Sequence, residues 1–201
     1  MTIETLAQLR ALYPAPTERI VKKQLAALDA HCQRLIALSP FVVIASGGKD
    51  RAMDASPRGG LPGFVRIVDE QTLLIPDAPG NNRLDTFENI IATAQVGLLF
   101  LVPGVDETLR VNGTARLSCA EELISRFADE KRRPKLVIEV KVEAAYLHCP
   151  KALMRSKLWH PESRIDRAQL PTVIEMINDQ TGIIVPVKTH EKTREDFAKD
   201  L

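Results

Sequence analysis

The segment from Glu107 to Ser118 constrains the fold most, because apolar and polar side chains alternate along it without a break. One face carries Leu109, Val111, Gly113, Ala115 and Leu117, and the other carries Arg110, Asn112, Thr114 and Arg116. A period of two residues places successive side chains on opposite faces of a β-strand. A glycine in mid-strand, Gly113, favours a bulge or close packing. A second alternating run spans 136–146, so two long strands with one buried face are predicted.

Shorter β-rich runs precede these strands. Strands are predicted at 41–46, 51–57, 64–68, 72–75 and 95–102. The strands follow one another through turns, and no β-α-β alternation calls for a parallel sheet. Helical periodicity predicts helices at 2–13, from Thr17 to about 39, after the turn at 79–82 with Leu84, Phe87, Ile90 and Ile91 on its inner side, at 121–131 and at 171–180. The pattern predicts a small antiparallel barrel of six or seven strands with helices at its flank.

The length of 201 residues suits one domain of ordinary size. We divide it into an N-terminal helical extension at 1–40 packed on the barrel, a barrel core at 41–150 and a C-terminal helical segment at 151–201. The charged end beyond residue 188 is expected to fray.

The charge balance argues against two classes of partner. Lys and Arg total 27 against 26 Asp and Glu, a net charge of +1, so no global field attracts nucleic acid or an anionic membrane. The three cysteines lack C-x-x-C spacing, which favours reduced thiols. With no basic leader and no apolar run long enough to span a bilayer, we expect a cytoplasmic protein with neither nucleic acid nor membrane as partner.

The turn at 79–83 is the first candidate site. Pro79 and Gly80 force a tight turn, and Asn81 or Asn82 can cap the helix that follows. The helix N-terminus carries partial positive charge, and the planar guanidinium of Arg83 matches a phosphate. The same pattern also fits an ordinary capped helix with Arg83 solvated, and context must decide between the two.

Other polar groups lie on strands and loops. Ser56 shares a small, polar strand face, which is typical of a docked ligand or of a wet edge strand. Arg58 begins a loop rich in Gly and Pro and is a second candidate anion contact. Arg110 and Asn112 occupy the polar face of their strand and have no obvious partner in the same subunit.

The segment from Lys151 to Trp159 carries two cations and the single tryptophan. Steps of four place Lys151, Arg155 and Trp159 on one face of a predicted helix. This face either closes over a ligand or belongs to a surface helix that Trp159 anchors by packing.

The familiar catalytic motifs are missing. The chain has no H-E-x-x-H, Walker A, G-x-S-x-G or G-x-G-x-x-G sequence, so no catalytic residue is assigned. His148, Cys149 and His160 fit no common zinc spacing, so no metal is expected. The arginines and amides instead suit a flat, phosphorylated cofactor that carries the reaction itself.

Four segments in order, at 54–60, 75–83, 107–115 and 148–159, resemble the pyridoxamine 5'-phosphate oxidase-like, FMN-binding split-barrel superfamily. The similarity extends from about residue 17 to 185 and is greatest to a bacterial branch of FMN-dependent enzymes with a poorly defined reaction. The resemblance implies a mainly β fold with flanking helices, a six-stranded antiparallel split β-barrel. It also implies a homodimer with two FMN molecules at the subunit interface.

The resemblance assigns roles by position. The turn at 80–83 matches the family's Ser-Arg-Lys phosphate turn, Ser56 to Arg58 runs beside the flavin, and the Arg110 strand reaches the flavin, from the other subunit. Arg and Asn replace the family's Lys and Ser in the turn, and the pyridoxal-phosphate-binding residues have no counterpart, so the vitamin substrate is not implied. The expected cofactor-binding residues are Ser56, Arg58, Asn81, Asn82, Arg83, Arg110, Asn112, Lys151, Arg155 and Trp159.

Two functions stay open. The first is an FMN-dependent oxidoreductase with an undefined small-molecule substrate and NADH or NADPH as a candidate electron donor. FMN is favoured over FAD because no second Gly-rich site for a diphosphate exists. The second is a flavin- or haem-binding split-barrel protein without turnover, since fold alone does not choose between the two.

Overall fold

Seven strands form one antiparallel sheet in the computed structural model, which describes residues 2–50 and 52–200. The strands are β1 (Phe41–Gly47), β2 (Met53–Gly59), β3 (Arg66–Asp69), β4 (Thr72–Pro76), β5 (Gln95–Leu101), β6 (Thr108–Ser118) and β7 (Val137–His148). The helices are α1 (Leu6–Ala11), α2 (Glu18–Lys22), α3 (Ala30–Leu38), α4 (Asp85–Thr93), α5 (Glu121–Ile124), α6 (Lys151–Ser156), α7 (Val173–Thr181) and α8 (His190–Ala198). None of the described helices is long and apolar enough to cross a membrane.

The sheet is open, with the strand order β2-β1-β5-β6-β7-β4-β3. The expected antiparallel fold with flanking helices is confirmed, but the number of six strands and a closed barrel are wrong. All seven β-rich runs are strands, and within the described residues the end strands β2 and β3 do not pair. β3 has four residues, and its register shifts after Ile67, so it offers little regular edge for closure. Arg51, at the start of the predicted strand 51–57, lies outside the described residues.

The alternation in β6 is confirmed. Val111 and Ala115 are buried, whereas Asn112 and Arg116 are exposed. The pairing with β7 shifts between Asn112 and Gly113, as the mid-strand glycine predicted. A Cβ atom at Gly113 would lie 1.9 Å from the carbonyl oxygen of Lys141, so no side chain fits there without moving β7.

The inner face of the sheet, defined here as the face covered by α3 and α4, carries the main core. Ile36 of α3 and Ile90 of α4 pack in one cluster with Val42, Phe100 and Val111. A smaller cluster joins α5 to the other end of the sheet and contains Leu74, Ile124, Phe127 and Val137. Leu74 and Val137 alternate with Leu73 and Ile138 of the main core, so the smaller cluster lies on the outer face.

Two helix predictions are wrong. The segment expected to be one helix from Thr17 to about 39 is two helices, α2 and α3, because Leu25 between them forms a β-bridge to Ala145. Their two backbone hydrogen bonds are 2.9 and 2.8 Å long. The chain beyond residue 188, expected to fray, forms α8, which begins after Thr189, whose side chain accepts from Lys192 N.

The C-terminal part differs from the sheet in how it is buried. Within 149–200 the buried residues are polar, namely Thr172, Asn178 and Thr193. Exposed large apolar side chains in this part are Met154, Leu158, Ile165, Leu170, Ile177, Ile183, Ile184, Val185, Val187 and Phe197. The fold of this part therefore depends on polar contacts, such as the two hydrogen bonds of 2.8 and 3.0 Å between the Asn178 amide and the Val185 backbone. The division at 1–40, 41–150 and 151–201 stays a prediction.

Candidate functional site

Polar side chains of β2 meet the N-terminus of α4 on the inner face. Asp54, Ser56 and Arg58 lie two residues apart, so they share one face of β2, and all three are partly buried. The Ser56 hydroxyl donates to both Asp54 carboxylate oxygens at 3.0 Å. Thr86, in the first turn of α4 and only 2% exposed, donates to Asp54 Oδ2 at 2.6 Å and accepts from Arg58 Nη2 at 3.3 Å. We call these four residues the β2–α4 cluster.

Arg58 holds a fixed positive charge in this cluster. Its Nη1 donates to the Pro57 carbonyl at 2.9 Å. Burial lowers the pKa of Arg58, while Asp54 and Asp77 act in the opposite direction. A guanidinium nevertheless stays protonated at any ordinary pH. Because the N-terminus of a helix also carries partial positive charge, this corner of the molecule favours an anion.

The turn before α4 adopts a conformation that the sequence did not reveal. Asn82 and Leu84 have φ values of 60° and 63°. The Asn81 side-chain oxygen accepts from the Arg83 N–H at 3.1 Å, inside the turn. The helix begins at Asp85, and its N-cap residue, Leu84, makes no side-chain hydrogen bond to it. The prediction that Asn81 or Asn82 caps the helix is therefore wrong.

Arg83 lies at the surface beside this cluster. Its side chain is 73% exposed, and its Nε donates to Asp85 Oδ2 at 2.8 Å. This pairing raises the pKa of Arg83 and lowers that of Asp85. Arg83 and Asp54 line one open cleft of about 610 Å³, which also includes Lys49 and Glu88. The structure thus brings Ser56, Arg58 and the 81–83 turn to the same end of α4.

Arg110 and Asn112 lie on the other side of the sheet. Arg110 pairs with Leu99, Leu99 with Val43, and Val43 with Pro57. Directly paired residues share a face, so Arg110 projects from the face opposite to the β2–α4 cluster, as does Asn112, two residues farther along β6.

Arg110 also has a partner in its own chain. Its Nη1 donates to the Tyr146 hydroxyl at 3.1 Å, and its guanidinium lies 5.6 Å from the centre of that ring. The expectation that Arg110 is without a partner in its own subunit is wrong. The sequence did not reveal this contact, because the two residues are brought together only by the pairing of β6 with β7.

The predicted face of Lys151, Arg155 and Trp159 does not form. The helix α6 ends at Ser156, and Lys157, with a φ value of 51°, reverses the chain. Lys151 and Arg155 are exposed. The Trp159 indole lies beyond the helix and donates to the Val105 carbonyl at 2.9 Å, so within one chain Trp159 anchors the C-terminal part to the loop between β5 and β6.

Sequence reasoning missed Asp54 and Thr86 as site residues. Asp54 could have been found, because it shares the alternating polar face of Ser56. Thr86 carries no such signal, since a threonine in the first turn of a helix is common. Among the described residues, no group of three or more His, Cys, Asp or Glu side chains is arranged to hold a metal ion.

The fold is that of an antiparallel β protein, and the β2–α4 cluster places the guanidinium of Arg58 beside a helix N-terminus. Residues 28–149 match the family model of pyridoxamine 5'-phosphate oxidase. This match spans more than half of the chain, so the protein belongs to that family, which typically binds flavin. The resemblance found in the sequence is confirmed. The matched residues include the β2–α4 cluster and Arg110, and they end before Lys151.

Solved structures share the fold at low sequence identity. HupZ from Group A Streptococcus is 17% identical with a TM-score of 0.51, over 60% of this chain and 93% of that one. A candidate pyridoxamine 5'-phosphate oxidase from Lactobacillus delbrueckii is 19% identical with a TM-score of 0.49, over 62% of this chain and 98% of that one. No curated protein matches the chain.

Proposed function

We propose that this protein is an FMN-binding oxidoreductase that acts on a small molecule, and the observation that carries the proposal is the half-buried Arg58 at the N-terminus of α4. The donors at this end of α4 suit a phosphate monoester. They are the Arg58 guanidinium and the first N–H groups of the helix, which have no side-chain cap. Two carboxylates of the cleft are already engaged, Asp54 by two hydroxyl groups and Asp85 by Arg83, and Glu88 also lines the cleft. The residues present therefore fit a terminal phosphate.

We assign the FMN phosphate to Ser56, Arg58 and the turn of Asn81, Asn82 and Arg83. FMN supplies hydride chemistry at its flavin ring when it is bound. The protein then contributes binding, orientation and hydrogen bonds to the ring. No general base is assigned, in keeping with a cofactor that carries the reaction.

We further propose a homodimer, in which the outer face of one sheet completes the flavin site of a second copy. Arg110 and Asn112 project away from the β2–α4 cluster, so in one chain they do not reach the same phosphate. Apolar side chains on the outer face, such as Met53 at 76% and Phe41 at 37% exposure, lack a cover in the single chain. In a dimer with two-fold symmetry, the outer faces of the two chains would pack against each other, and both would be buried.

The C-terminal part supports the same proposal. Stable interfaces bury about 800 Å² on each partner. The ten exposed large apolar side chains of the C-terminal part are available for such an interface. We assign Lys151, Arg155 and Trp159 to the edge of this interface, beside the loop that Trp159 contacts.

A visible spectrum of the purified protein tests the cofactor, with mass spectrometry of the small molecule released on denaturation. We expect a flavin spectrum and the mass of FMN. Anaerobic addition of NADH or NADPH should then bleach the flavin absorbance, which a binding module without turnover would not show with either donor. A protein that neither contains flavin nor binds added FMN would overturn the proposal.

A further inference from the structure

We propose that Thr86 is a positioning residue, which fixes the Arg58 guanidinium at the N-terminus of α4 for a phosphate ligand. The inference rests on the proposed FMN site and deepens it. Thr86 lies between Asp54 and Arg58 and is almost inaccessible to solvent. Its hydroxyl connects α4 to β2 through hydrogen bonds to the side chains of Asp54 and Arg58.

The direction of each hydrogen bond follows from chemistry. An ionised carboxylate only accepts, and a guanidinium only donates. A hydroxyl has one proton, so Thr86 donates to Asp54 Oδ2, 2.6 Å away, and its lone pair faces Arg58 Nη2, 3.3 Å away. The carboxylate of Asp54 thereby orients the hydroxyl, and the hydroxyl orients the guanidinium.

Asp54 completes this arrangement without competing for the phosphate. Both of its oxygens accept from Ser56, and Oδ2 also accepts from Thr86. The Ser56 proton, shared between the two carboxylate oxygens, and the Thr86 proton hold the carboxylate between β2 and α4. Thr86 and the Pro57 carbonyl hold one side of the Arg58 guanidinium. A guanidinium has five N–H donors, so further N–H groups remain for a phosphate. A donor held in place before binding loses less conformational freedom when the ligand arrives.

The chain offers a matched control in the same helix. Thr93 also uses its hydroxyl to join α4 to a strand, donating to the Gly47 carbonyl at 2.7 Å. Thr93 lies two turns beyond Thr86 and has no contact with Arg58. Replacing either threonine by valine keeps the shape and removes the hydroxyl that joins helix and sheet: Thr86 loses its bonds to Asp54 and Arg58, and Thr93 loses its bond to the Gly47 carbonyl.

The test compares Thr86→Val, Thr86→Ser and Thr93→Val in the full chain. FMN and riboflavin, which lacks the phosphate, are titrated against flavin-free protein, and the rise in melting temperature with inorganic phosphate is recorded. Thr86→Val should weaken FMN binding about tenfold and reduce the phosphate-induced rise, with riboflavin binding unchanged. Thr86→Ser should restore both values, and Thr93→Val should leave both at the parent level.

A double variant separates positioning from a general loss of structure. In an Arg58→Ala background, Thr86→Val should cost no further FMN affinity, because the residue acts only through Arg58. Parent-like FMN binding by a folded Thr86→Val protein would overturn the inference while leaving the FMN site intact. Equal losses in Thr86→Val and Thr93→Val would also overturn it. A parent protein that binds neither FMN nor phosphate would overturn the proposed function, and the inference with it.

Discussion

The two faces of the sheet place arginines in different surroundings. On the inner face, Arg58 is held by Thr86 beside a helix N-terminus, whereas on the outer face Arg110 rests against Tyr146. In the proposed dimer, the inner arginine binds the phosphate and the outer one lies on the face that the second chain covers. The comparison shows that two arginines which look equivalent in the sequence lie on opposite faces of the sheet, so in one chain they do not reach the same phosphate.

The largest expected effect is a difference in stability between alanine variants of two glycines, Gly113 on the inner face and Gly97 on the outer face. Gly113→Ala should lower the free energy of unfolding by about 3 kcal/mol, the upper end of the usual range for overpacking, because the new methyl group meets Lys141 O. Gly97→Ala should change it little, since its Cβ would lie 3.4 Å from the movable Asn112 side chain. Urea denaturation of both variants measures the difference. Equal stability of the two would contradict the packing described for β6.

The next effect concerns the outer face and the C-terminal part. Met53→Glu and Ile184→Glu should each weaken dimerisation at least tenfold, because each places a charge in an apolar interface. Ile91→Glu is the control, since Ile91 is as exposed, at 77%, on the solvent side of α4. Light scattering across a dilution series measures the dissociation constants. A parent protein that stays monomeric at micromolar concentration would contradict the proposed homodimer.

An effect that appears only at high pH reports how well the inner side excludes water. Burial raises the pKa of Cys32 to about 12, whereas an unfolded thiol ionises near ~8.5. The folded-state pKa is the higher one, so burying the neutral Cys32 thiol stabilises the folded protein fully below pH ~8.5. This contribution to the free energy of unfolding is lost as the pH rises toward 12, by about 1.4 kcal/mol per pH unit.

The measurement is the slope of unfolding free energy against pH between 9 and 11, for the parent protein and for Cys32→Ala. The variant should show the shallower slope, because it lacks the ionising group. Identical slopes would mean that water reaches this thiol in the folded state. Cys119 and Cys149, both exposed, should react with a thiol reagent at pH 8 in the folded protein, and Cys32 should not.

The sheet could be predicted from the sequence where a local pattern determines it. Alternation predicted β6, and Gly113 predicted its bulge, because both depend on residues that are neighbours in the chain. The break in the helix predicted from Thr17 could not be found in this way, since Leu25 pairs with Ala145, which lies far along the chain. The local pattern predicted six or seven strands, and the resemblance narrowed this number to six, whereas the sheet has seven.

The site was predictable in part for the same reason. Ser56, Arg58 and the 81–83 turn come together as expected, because β2 and the turn both lie next to α4. The capping role of the asparagines was wrong, because Leu84 adopts a left-handed conformation before the helix begins. The position of Trp159 was wrong because Lys157 reverses the chain after α6. Both depend on single backbone angles that residue type did not reveal.

Arg58 and Arg83, the two arginines of the proposed phosphate site, should contribute differently to FMN affinity. The sequence made Arg83 the first candidate phosphate contact and Arg58 the second. Arg83 is largely exposed and paired with Asp85, and exposed charges of this kind contribute little. The half-buried Arg58 is therefore expected to contribute more than Arg83.

FMN titration of Arg58→Ala tests the central claim most directly, with Arg110→Ala and riboflavin as controls. The account predicts a ten- to hundredfold loss of FMN affinity for Arg58→Ala, corresponding to about 1.5 to 3 kcal/mol for a charge-assisted contact. Riboflavin affinity should be unchanged in that variant, and Arg110→Ala should alter FMN and riboflavin binding by the same factor. An Arg58→Ala protein that binds FMN as tightly as the parent would contradict the account.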